Sequence, residues 1–212
     1  MRPKEQTLTI EGPVGIIETK IETPDEPQGI ALVCHPHPLF GGTNENKVVQ
    51  ILASTFIRLG YTVLRPNFRG VGKSQGVHSN GQGETDDMRV VLDEARRIFG
   101  ELPVVLAGYS FGAYVQTCVA QALAESGQTA KRLVLVGTAT SSVEGAGNYH
   151  TGPVAKDTLI IHGSDDTVVP LSNVLAWAEP QELPVIVIQG ASHFFDRRLH
   201  MIRDIILRAW QH

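Results

Sequence analysis

The pattern Gly-x-Ser-x-Gly occupies residues 108–112 and places Ser110 between two glycines. The apolar run 104–107 before it predicts a buried strand, and the periodic apolar residues after it predict a helix. Such a strand–turn–helix lifts a serine hydroxyl above the edge of a sheet, and it needs glycines because larger side chains would collide with the neighbouring elements. Ser110 is therefore the candidate nucleophile. The alternative is a glycine-rich helix start that Ser110 merely caps.

A second Gly-x-Ser-x-Gly lies at residues 72–76, and its Gly-Lys-Ser portion resembles the end of a phosphate-binding P-loop. A P-loop needs a glycine five residues before its Gly-Lys pair, where this chain has Asn67. It also needs a helix directly after the serine, to present backbone amides to phosphate. Polar and glycine-rich residues follow Ser74 instead, so segment 74–83 is predicted to be a loop and nucleotide binding is disfavoured.

A serine hydroxyl becomes a good nucleophile when a histidine removes its proton and a carboxylate orients that histidine. Two later apolar runs lead into such residues. Run 158–161 precedes Asp165 and Asp166, and run 184–188 precedes His193. Because the carboxyl ends of parallel strands share one edge of a sheet, we expect these side chains beside the candidate serine. Either aspartate satisfies this reasoning.

The elements that must position these residues follow from the periodicity of the chain. Short apolar runs alternate with longer helical patterns, which is typical of a parallel sheet flanked by helices. The first two runs alternate and predict an antiparallel edge hairpin, whereas the others are apolar throughout, like strands covered on both faces. The predicted strands are 7–11, 15–22, 29–34, 62–65, 104–107, 132–136, 158–161 and 184–188. The predicted helices are 48–59, 91–99, 110–125 and one from about residue 196.

With these motifs in place, the chain resembles the α/β-hydrolase superfamily, and most closely its small, lidless, esterase-like members with a His-Pro-His-Pro loop. The resemblance spans nearly the whole chain. It implies a three-layer α/β fold over residues 1–212, with a mostly parallel sheet of about eight strands, an antiparallel N-terminal edge and no cap domain. In the family pattern His-Gly-x-x-Asp, which begins here at His162, the acid is Asp166 and its neighbour is a turn residue. His162 is then expected to pack beneath the acid loop.

An oxyanion hole requires two N–H donors aimed at the charge that develops on the substrate carbonyl. The residue after the nucleophile, Phe111, supplies the first. The loop 35–42 supplies the second, although Pro36 and Pro38 carry no N–H group. The resemblance points to His37 by position, with Leu39 as the alternative, because the loop departs from the commoner His-Gly-x pattern of the family.

His35 and His37 could also suggest a metal site, since residues two apart in a strand share a face. The prolines beside them break that geometry, and no cluster of cysteines or carboxylates completes a ligand set. We therefore expect neither a metal nor any other cofactor.

Composition narrows the class of protein further. The 212 residues are 42% apolar and 19% charged, with a formal net charge of −4, which is ordinary for a globular protein and gives no basic field for nucleic acid or an anionic membrane. No apolar run approaches the roughly 20 residues of a membrane span, and we expect a cytoplasmic protein without a signal peptide. Cys34 and Cys118 lie in apolar runs and should be buried free thiols. Oligomeric state is not predicted.

The predicted function is hydrolysis of carboxylic esters, as small-molecule substrates, through an acyl-enzyme on Ser110. Only about 20 residues separate run 132–136 from run 158–161, too few for a helical cap, so loop 140–153 is the only cover and short or accessible acyl groups are favoured. The aromatic residues expected to line the pocket are Phe40, Phe111, Tyr149, Phe194 and Phe195. Thioester or peptide cleavage would use the same machinery, and a non-catalytic binding protein on this fold is the remaining alternative.

Overall fold

A computed structural model describes residues 3–143, 145 and 147–211. The extreme ends of the predicted domain 1–212 and residues 144 and 146 of the predicted loop 140–153 lie outside the described residues. The strands are β1 (Gln6–Gly12), β2 (Gly15–Glu22), β3 (Gly29–Cys34), β4 (Tyr61–Pro66), β5 (Val104–Tyr109), β6 (Arg132–Val136), β7 (Ser141–Val143), β8 (Gly147–Tyr149), β9 (Leu159–Gly163) and β10 (Val185–Ile188). The α-helices are α1 (Lys47–Arg58), α2 (Gln82–Phe99), α3 (Phe111–Glu125), α4 (Leu171–Ala178) and α5 (Leu199–Ala209).

Eight of these strands form one sheet in the order β1-β2-β4-β3-β5-β6-β9-β10. The pairs β1–β2 and β2–β4 are antiparallel, and all the other neighbours are parallel. The predicted fold class, with its antiparallel N-terminal edge, is confirmed. The strands β3, β5, β9 and β10 all run toward one edge, and the loops after them carry the candidate site residues.

The two faces of the sheet bury separate apolar clusters, as a strand covered on both sides requires. In β3, Ile30 and Leu32 enter the cluster beneath α2, α3 and α4, whereas Ala31 and Val33 enter the cluster beneath α1 and α5. All four side chains are fully buried. Because alternate residues of β3 are packed on opposite faces, the strand is anchored on both sides. The loop that follows it therefore starts from a fixed point at the carboxyl edge of the sheet.

Strand β10 differs from the prediction that it would be covered on both faces. It pairs only with β9 and forms the edge of the sheet, and Ile186 and Val187 remain well exposed. A uniformly apolar run does not distinguish an edge strand from a central one, because the difference lies in which neighbours pack against it.

Two loops predicted from composition contain regular structure. Helix α2 begins at Gln82, inside the predicted loop 74–83, because the buried Glu84 carboxylate accepts hydrogen bonds from the Ser79 and Gly81 amides and so orders the first turn. In the predicted loop 140–153, β7 and β8 pair as a hairpin. Helix α5 begins at Leu199, slightly later than expected.

The cysteines are both free, but only one of them is fully buried. Cys34 is inaccessible, and burial raises the pKa of its thiol well above the usual range. Cys118 is half-buried, contrary to the expectation, because its helix position lies at the margin of the core. Burial raises the pKa of the Cys118 thiol as well.

The turn between β5 and α3 is shaped by close backbone contacts at two glycines. A Cβ atom on Gly112 would lie 2.4 Å from the His35 carbonyl oxygen and 2.5 Å from that of Cys34. A Cβ atom on Gly108 would lie 2.3 Å from the Gly112 carbonyl oxygen. Because backbone atoms block both positions, only glycine lets α3 start this close to β3.

We predict that Gly112→Ala lowers the free energy of unfolding by about 3 kcal/mol, since the added methyl group overpacks a site walled by backbone. Gly152→Ala is the matched control, because a Cβ atom there meets only a flexible glutamine side chain at 3.3 Å. The control should stay within about 0.5 kcal/mol of the parent chain in urea unfolding. Equal stabilities for the two variants would contradict the close approach of α3 to β3.

Candidate active site

Ser110 lies in the tight turn between β5 and α3, with φ 56° and ψ −119°. Few non-glycine residues adopt a positive φ, and such strain is typical of functional sites. The turn is held by a hydrogen bond from the Ser110 amide to the Val136 carbonyl, at 2.9 Å. The side chain is thereby raised above the carboxyl edge of the sheet, at the N-terminus of α3.

His193 reaches Ser110 from the loop after β10. Its Nε2 lies 3.0 Å from the Ser110 Oγ. The Tyr109 hydroxyl donates a 2.8 Å hydrogen bond to the His193 carbonyl oxygen, and the two rings are in contact with centroids 5.2 Å apart. Tyr109 is therefore a supporting residue that sequence reasoning missed. The sequence gives no signal for Tyr109, because the Gly-x-Ser-x-Gly motif accepts any residue at its second position.

Asp166 lies on the other side of the imidazole, on the loop after β9. Its Oδ2 is 2.7 Å from the His193 Nδ1, and its Oδ1 accepts the amides of Val168 and Val169 at 3.0 and 2.8 Å. A neutral imidazole with its proton on Nδ1 satisfies both contacts, donating to Asp166 and accepting from the serine hydroxyl. The structure thus brings together Ser110, His193 and Asp166 as one hydrogen-bonded chain.

The two residues that compete for the acid and base roles are placed differently. Asp165 is exposed and accepts a hydrogen bond from the Ser164 hydroxyl at 2.6 Å. His162 is fully buried beneath the acid loop, where its Nε2 lies 2.9 Å from the Val169 carbonyl oxygen. Burial lowers the pKa of His162, so its neutral ring donates to that carbonyl. This donor supports the same turn that binds Asp166.

The loop after β3 presents the two candidates for the second oxyanion donor. Its residues Pro38–Phe40 form a short 3₁₀ helix, and the Leu39 amide donates to the His37 Nδ1 at 3.2 Å. Because that N–H already has an acceptor, Leu39 is the weaker candidate. His37 lines the same cavity as Ser110, and its ring contacts that of Phe111 with centroids 5.0 Å apart.

His35, the other histidine of this loop, is engaged on both ring nitrogens. Its Nε2 accepts the Phe68 amide at 2.9 Å, and its Nδ1 lies 2.7 Å from the Pro36 carbonyl oxygen. Burial lowers the pKa of His35 to about 4, which keeps the ring neutral. The side chain thus joins the loop after β3 to the loop after β4. Within the described residues, no three His, Cys, Asp or Glu side chains are grouped as metal ligands.

The P-loop-like segment forms a structural turn against β2. The Ser74 hydroxyl donates to the Asn67 carbonyl at 2.8 Å and accepts the Glu18 amide at 3.0 Å. Nearby, Arg69 makes a two-pronged ion pair with Asp87 of α2, with both N–O distances 2.8 Å. These contacts assign Ser74 to the turn and separate it from the site around Ser110.

A cavity of about 310 Å³ opens above Ser110 and His193. It is lined in part by four of the predicted aromatic residues, Phe40, Phe111, Tyr149 and Phe194. Phe195 does not line it. That side chain is fully buried in the core, near the Tyr109 ring, because the chain turns between the two phenylalanines and sends them in opposite directions.

Comparisons with known proteins show which family the chain resembles. Residues 25–156 match the family described as serine aminopeptidase, S33. An α/β serine hydrolase homologue from Coxiella burnetii is 40% identical, with a TM-score of 0.84 over 96% of both chains. A serine hydrolase without a lid from Xanthomonas campestris is 32% identical, with a TM-score of 0.87 over 98% of this chain and 94% of that one. An uncharacterised protein of Rickettsia prowazekii is 34% identical over 87% of this chain and 79% of its own.

Within the part of the chain that the structure describes, no helix has both the length and the hydropathy that a membrane span needs. A family match over more than half of the chain and a full-length likeness to two serine hydrolases both point to one family. The chain belongs to the serine aminopeptidase S33 family of α/β serine hydrolases.

Proposed function

We propose that this protein is a carboxylic ester hydrolase in which Ser110, His193 and Asp166 form the catalytic triad. The observation that carries the proposal is the chain of hydrogen bonds through the three side chains, with 3.0 Å between Ser110 Oγ and His193 Nε2 and 2.7 Å between His193 Nδ1 and Asp166 Oδ2. Both distances are within reach for proton transfer and for orientation of the imidazole.

In the proposed reaction, the Ser110 Oγ attacks the ester carbonyl while its proton passes to the His193 Nε2. His193 then gives this proton to the leaving oxygen as the carbon–oxygen bond breaks, and an acyl group remains on Ser110. The same nitrogen then takes a proton from a water molecule whose oxygen attacks the acyl carbon. The bond from that carbon to the Ser110 Oγ breaks, the acid is released and the proton returns to the Oγ. The Asp166 carboxylate accepts a hydrogen bond from the Nδ1–H group throughout and stabilises the imidazolium that forms.

The negative charge on the substrate carbonyl oxygen is proposed to lie between the amides of Phe111 and His37. The Phe111 amide belongs to the first turn of α3, where N–H groups have no acceptor within the helix and where the helix dipole favours a negative charge. Two such donors held in place by a rigid turn and a short 3₁₀ helix need no rearrangement when the charge develops.

The surroundings of Ser110 favour small substrates. Ligand pockets commonly measure about 300–1,000 Å³, so a cavity of about 310 Å³ is at the small end of that range. Between β6 and β9, the described residues form only the short β7–β8 hairpin, and no cap domain covers the site. These features support short or accessible acyl groups.

A peptidase is the second candidate, because the matching family is described as an aminopeptidase. The same three residues would serve amide cleavage, with His193 protonating a leaving amine. Parallel assays with p-nitrophenyl esters, acyl thioesters and aminoacyl p-nitroanilides would separate the three substrate classes. The proposal expects kcat/KM to be largest for the esters, and a larger value for the anilides would replace it with peptidase activity.

We predict that a fluorophosphonate probe labels Ser110 alone, because among the residues that the structure describes only this hydroxyl has both a strained turn and a histidine ring nitrogen in contact with it. Ser110→Ala should abolish labelling and lower kcat by on the order of 10⁴ or more, as loss of the nucleophile does in serine hydrolases. Mass spectrometry of the labelled peptides locates the adduct. An adduct on Ser74, or full activity in Ser110→Ala, would remove Ser110 from its proposed role.

Substitution of each of the two adjacent aspartates tests which of them is the acid of the proposed triad. Asp166→Asn should lower kcat by on the order of 10⁴, because an amide no longer selects the Nδ1–H tautomer of His193. Asp165→Asn should leave kcat nearly unchanged, since that side chain is exposed and accepts a hydrogen bond from the Ser164 hydroxyl. Steady-state kinetics on both variants, with thermal melting to verify folding, makes the comparison. A larger loss in Asp165→Asn would reverse the assignment.

The dependence of kcat/KM on the length of the acyl chain tests whether the site is small and uncapped. Burial of each methylene contributes about 0.8 kcal/mol, and a cavity this small cannot bury a long chain, so kcat/KM should level off or fall beyond short acyl esters. Activity should also show no jump when the substrate passes from monomers to micelles, because no lid has to open. A steep rise that continues through dodecanoyl esters, or clear interfacial activation, would show an acyl tunnel or lid.

A further inference from the structure

The aromatic side chains around the cavity form two groups of rings in contact with one another. We call the first group the inner wall; its rings are linked through His37, with centroids 4.9 Å from Phe40 and 5.0 Å from Phe111, and Phe111 lies 5.8 Å from Tyr149. We call the second group the outer wall, and its members are Tyr109, His193 and Phe194. Ring centroids in the outer wall are 5.2 Å apart for Tyr109–His193 and 5.7 Å apart for His193–Phe194.

The chemistry of acyl transfer determines which part of a substrate faces each wall. The tetrahedral carbon carries the Ser110 oxygen, the oxyanion, the leaving oxygen and the acyl chain. The leaving oxygen must lie next to the His193 Nε2 that protonates it, and the oxyanion must lie beside the Phe111 amide. The leaving group therefore extends along the outer wall. The acyl chain extends away from it, along the inner wall.

The two walls differ in how far they enclose a ligand. Phe111 and Tyr149 of the inner wall are 1% and 3% exposed, and Val143 of the β7–β8 hairpin, which lines the same cavity, is 7% exposed. Phe40 of the inner wall is 63% exposed, and a Cβ atom on Gly145 would lie 3.7 Å from its ring. In the outer wall, Tyr109 and His193 are buried and Phe194 is 60% exposed. Phe111, Tyr149 and Val143 thus form a buried apolar end of the inner wall, whereas the outer wall ends at the exposed Phe194.

Beyond Phe194, a second cavity of about 380 Å³ continues from the outer wall. It shares Tyr109, Phe194 and Asn46 with the first cavity. Its other lining includes the charged side chains of Glu45, Lys47 and Asp196. A group that leaves along the outer wall therefore meets three charged side chains beside Val48, Tyr109 and Phe194, in contrast to the aromatic inner wall.

We infer that the substrate class is an ester of a short apolar acid with a polar, hydroxylated or charged alcohol. The inner wall with Val143 is the acyl subsite, and the second cavity beyond Phe194 is the leaving-group subsite. This inference rests on the proposed ester hydrolysis and adds the polarity and the limits of each half of the substrate. It predicts strict selection on the acyl side and broad tolerance, with a preference for polar groups, on the alcohol side.

Two substrate series test the assignment on the whole protein. One series varies the acyl group as acetyl, butyryl and hexanoyl esters of glycerol, and the other varies the alcohol as butyryl esters of ethanol, butanol, ethylene glycol and glycerol. Val143→Ala should raise kcat/KM for hexanoyl relative to butyryl by about tenfold and leave the glycerol-to-butanol ratio within about twofold. Phe194→Ala should join the two cavities, raise the glycerol-to-butanol ratio by about tenfold and leave the acyl ratio unchanged.

Leu175→Ala is the matched control, because Leu175 is an exposed aliphatic residue of α4 that lines neither cavity. Both ratios should be unchanged in this variant. The subsites are wrong if Val143→Ala and Phe194→Ala shift the same ratio, or if the parent enzyme prefers butanol to glycerol as the alcohol. If the proposed function is wrong, the parent enzyme will hydrolyse no member of either series. That result would also remove the two subsites, which depend on ester hydrolysis.

Discussion

The close approach of helix α3 to strand β3 is the constraint on which the candidate site depends. Backbone carbonyls of β3 and of the loop after it occupy the space that a side chain on residue 112 would need. The chain can therefore leave β5 and enter α3 only through a very sharp turn, and Ser110 takes a positive φ at its apex. Strain of this kind costs about 1–3 kcal/mol and persists only where the surroundings enforce it.

The same constraint sets the electrostatics around Ser110. Helix α3 begins directly after Ser110, so its first N–H groups lie beside the proposed nucleophile, and the loop after β3 brings His37 to the same cavity. The proposed base, His193, comes from the loop after β10. The Tyr109 hydroxyl donates to the His193 carbonyl oxygen, so the residue before Ser110 helps to position the residue proposed to activate it. Asp166, bound by two amides of its own turn, completes a rigid assembly.

Sequence reasoning predicted the position of a residue where that position is tied to a local motif. The carboxyl ends of parallel strands lie at one edge of a sheet. That rule, together with the Gly-x-Ser-x-Gly turn, was enough to predict that Ser110 and His193 would lie close together. The choice of Asp166 over Asp165 came from family resemblance, since two adjacent carboxylates in a loop have no periodicity that distinguishes them. The structure shows the difference as geometry, with one side chain facing the imidazole and the other facing solvent.

Features that depend on contacts between distant segments were not predictable. Phe194 and Phe195 are adjacent and identical, yet one lines the cavity and the other is buried in the core, because the direction of each follows from a turn that composition does not specify. The β7–β8 hairpin is similarly hidden, since its small residues give no alternating pattern. Its place in the proposed acyl subsite follows from the lining of the cavity by Val143 and Tyr149.

Nitrogen NMR of the imidazole rings in labelled protein tests the central claim most directly, with the His193 signals identified by their loss in His193→Gln. The hydrogen-bonded chain predicts that neutral His193 carries its proton on Nδ1, with an unprotonated Nε2 facing the serine. The Nδ1 proton should resonate far downfield, as in a strong hydrogen bond to a carboxylate, and should lose that shift in Asp166→Asn. A neutral His193 with its proton on Nε2, or a resonance that Asp166→Asn leaves unchanged, would contradict the account.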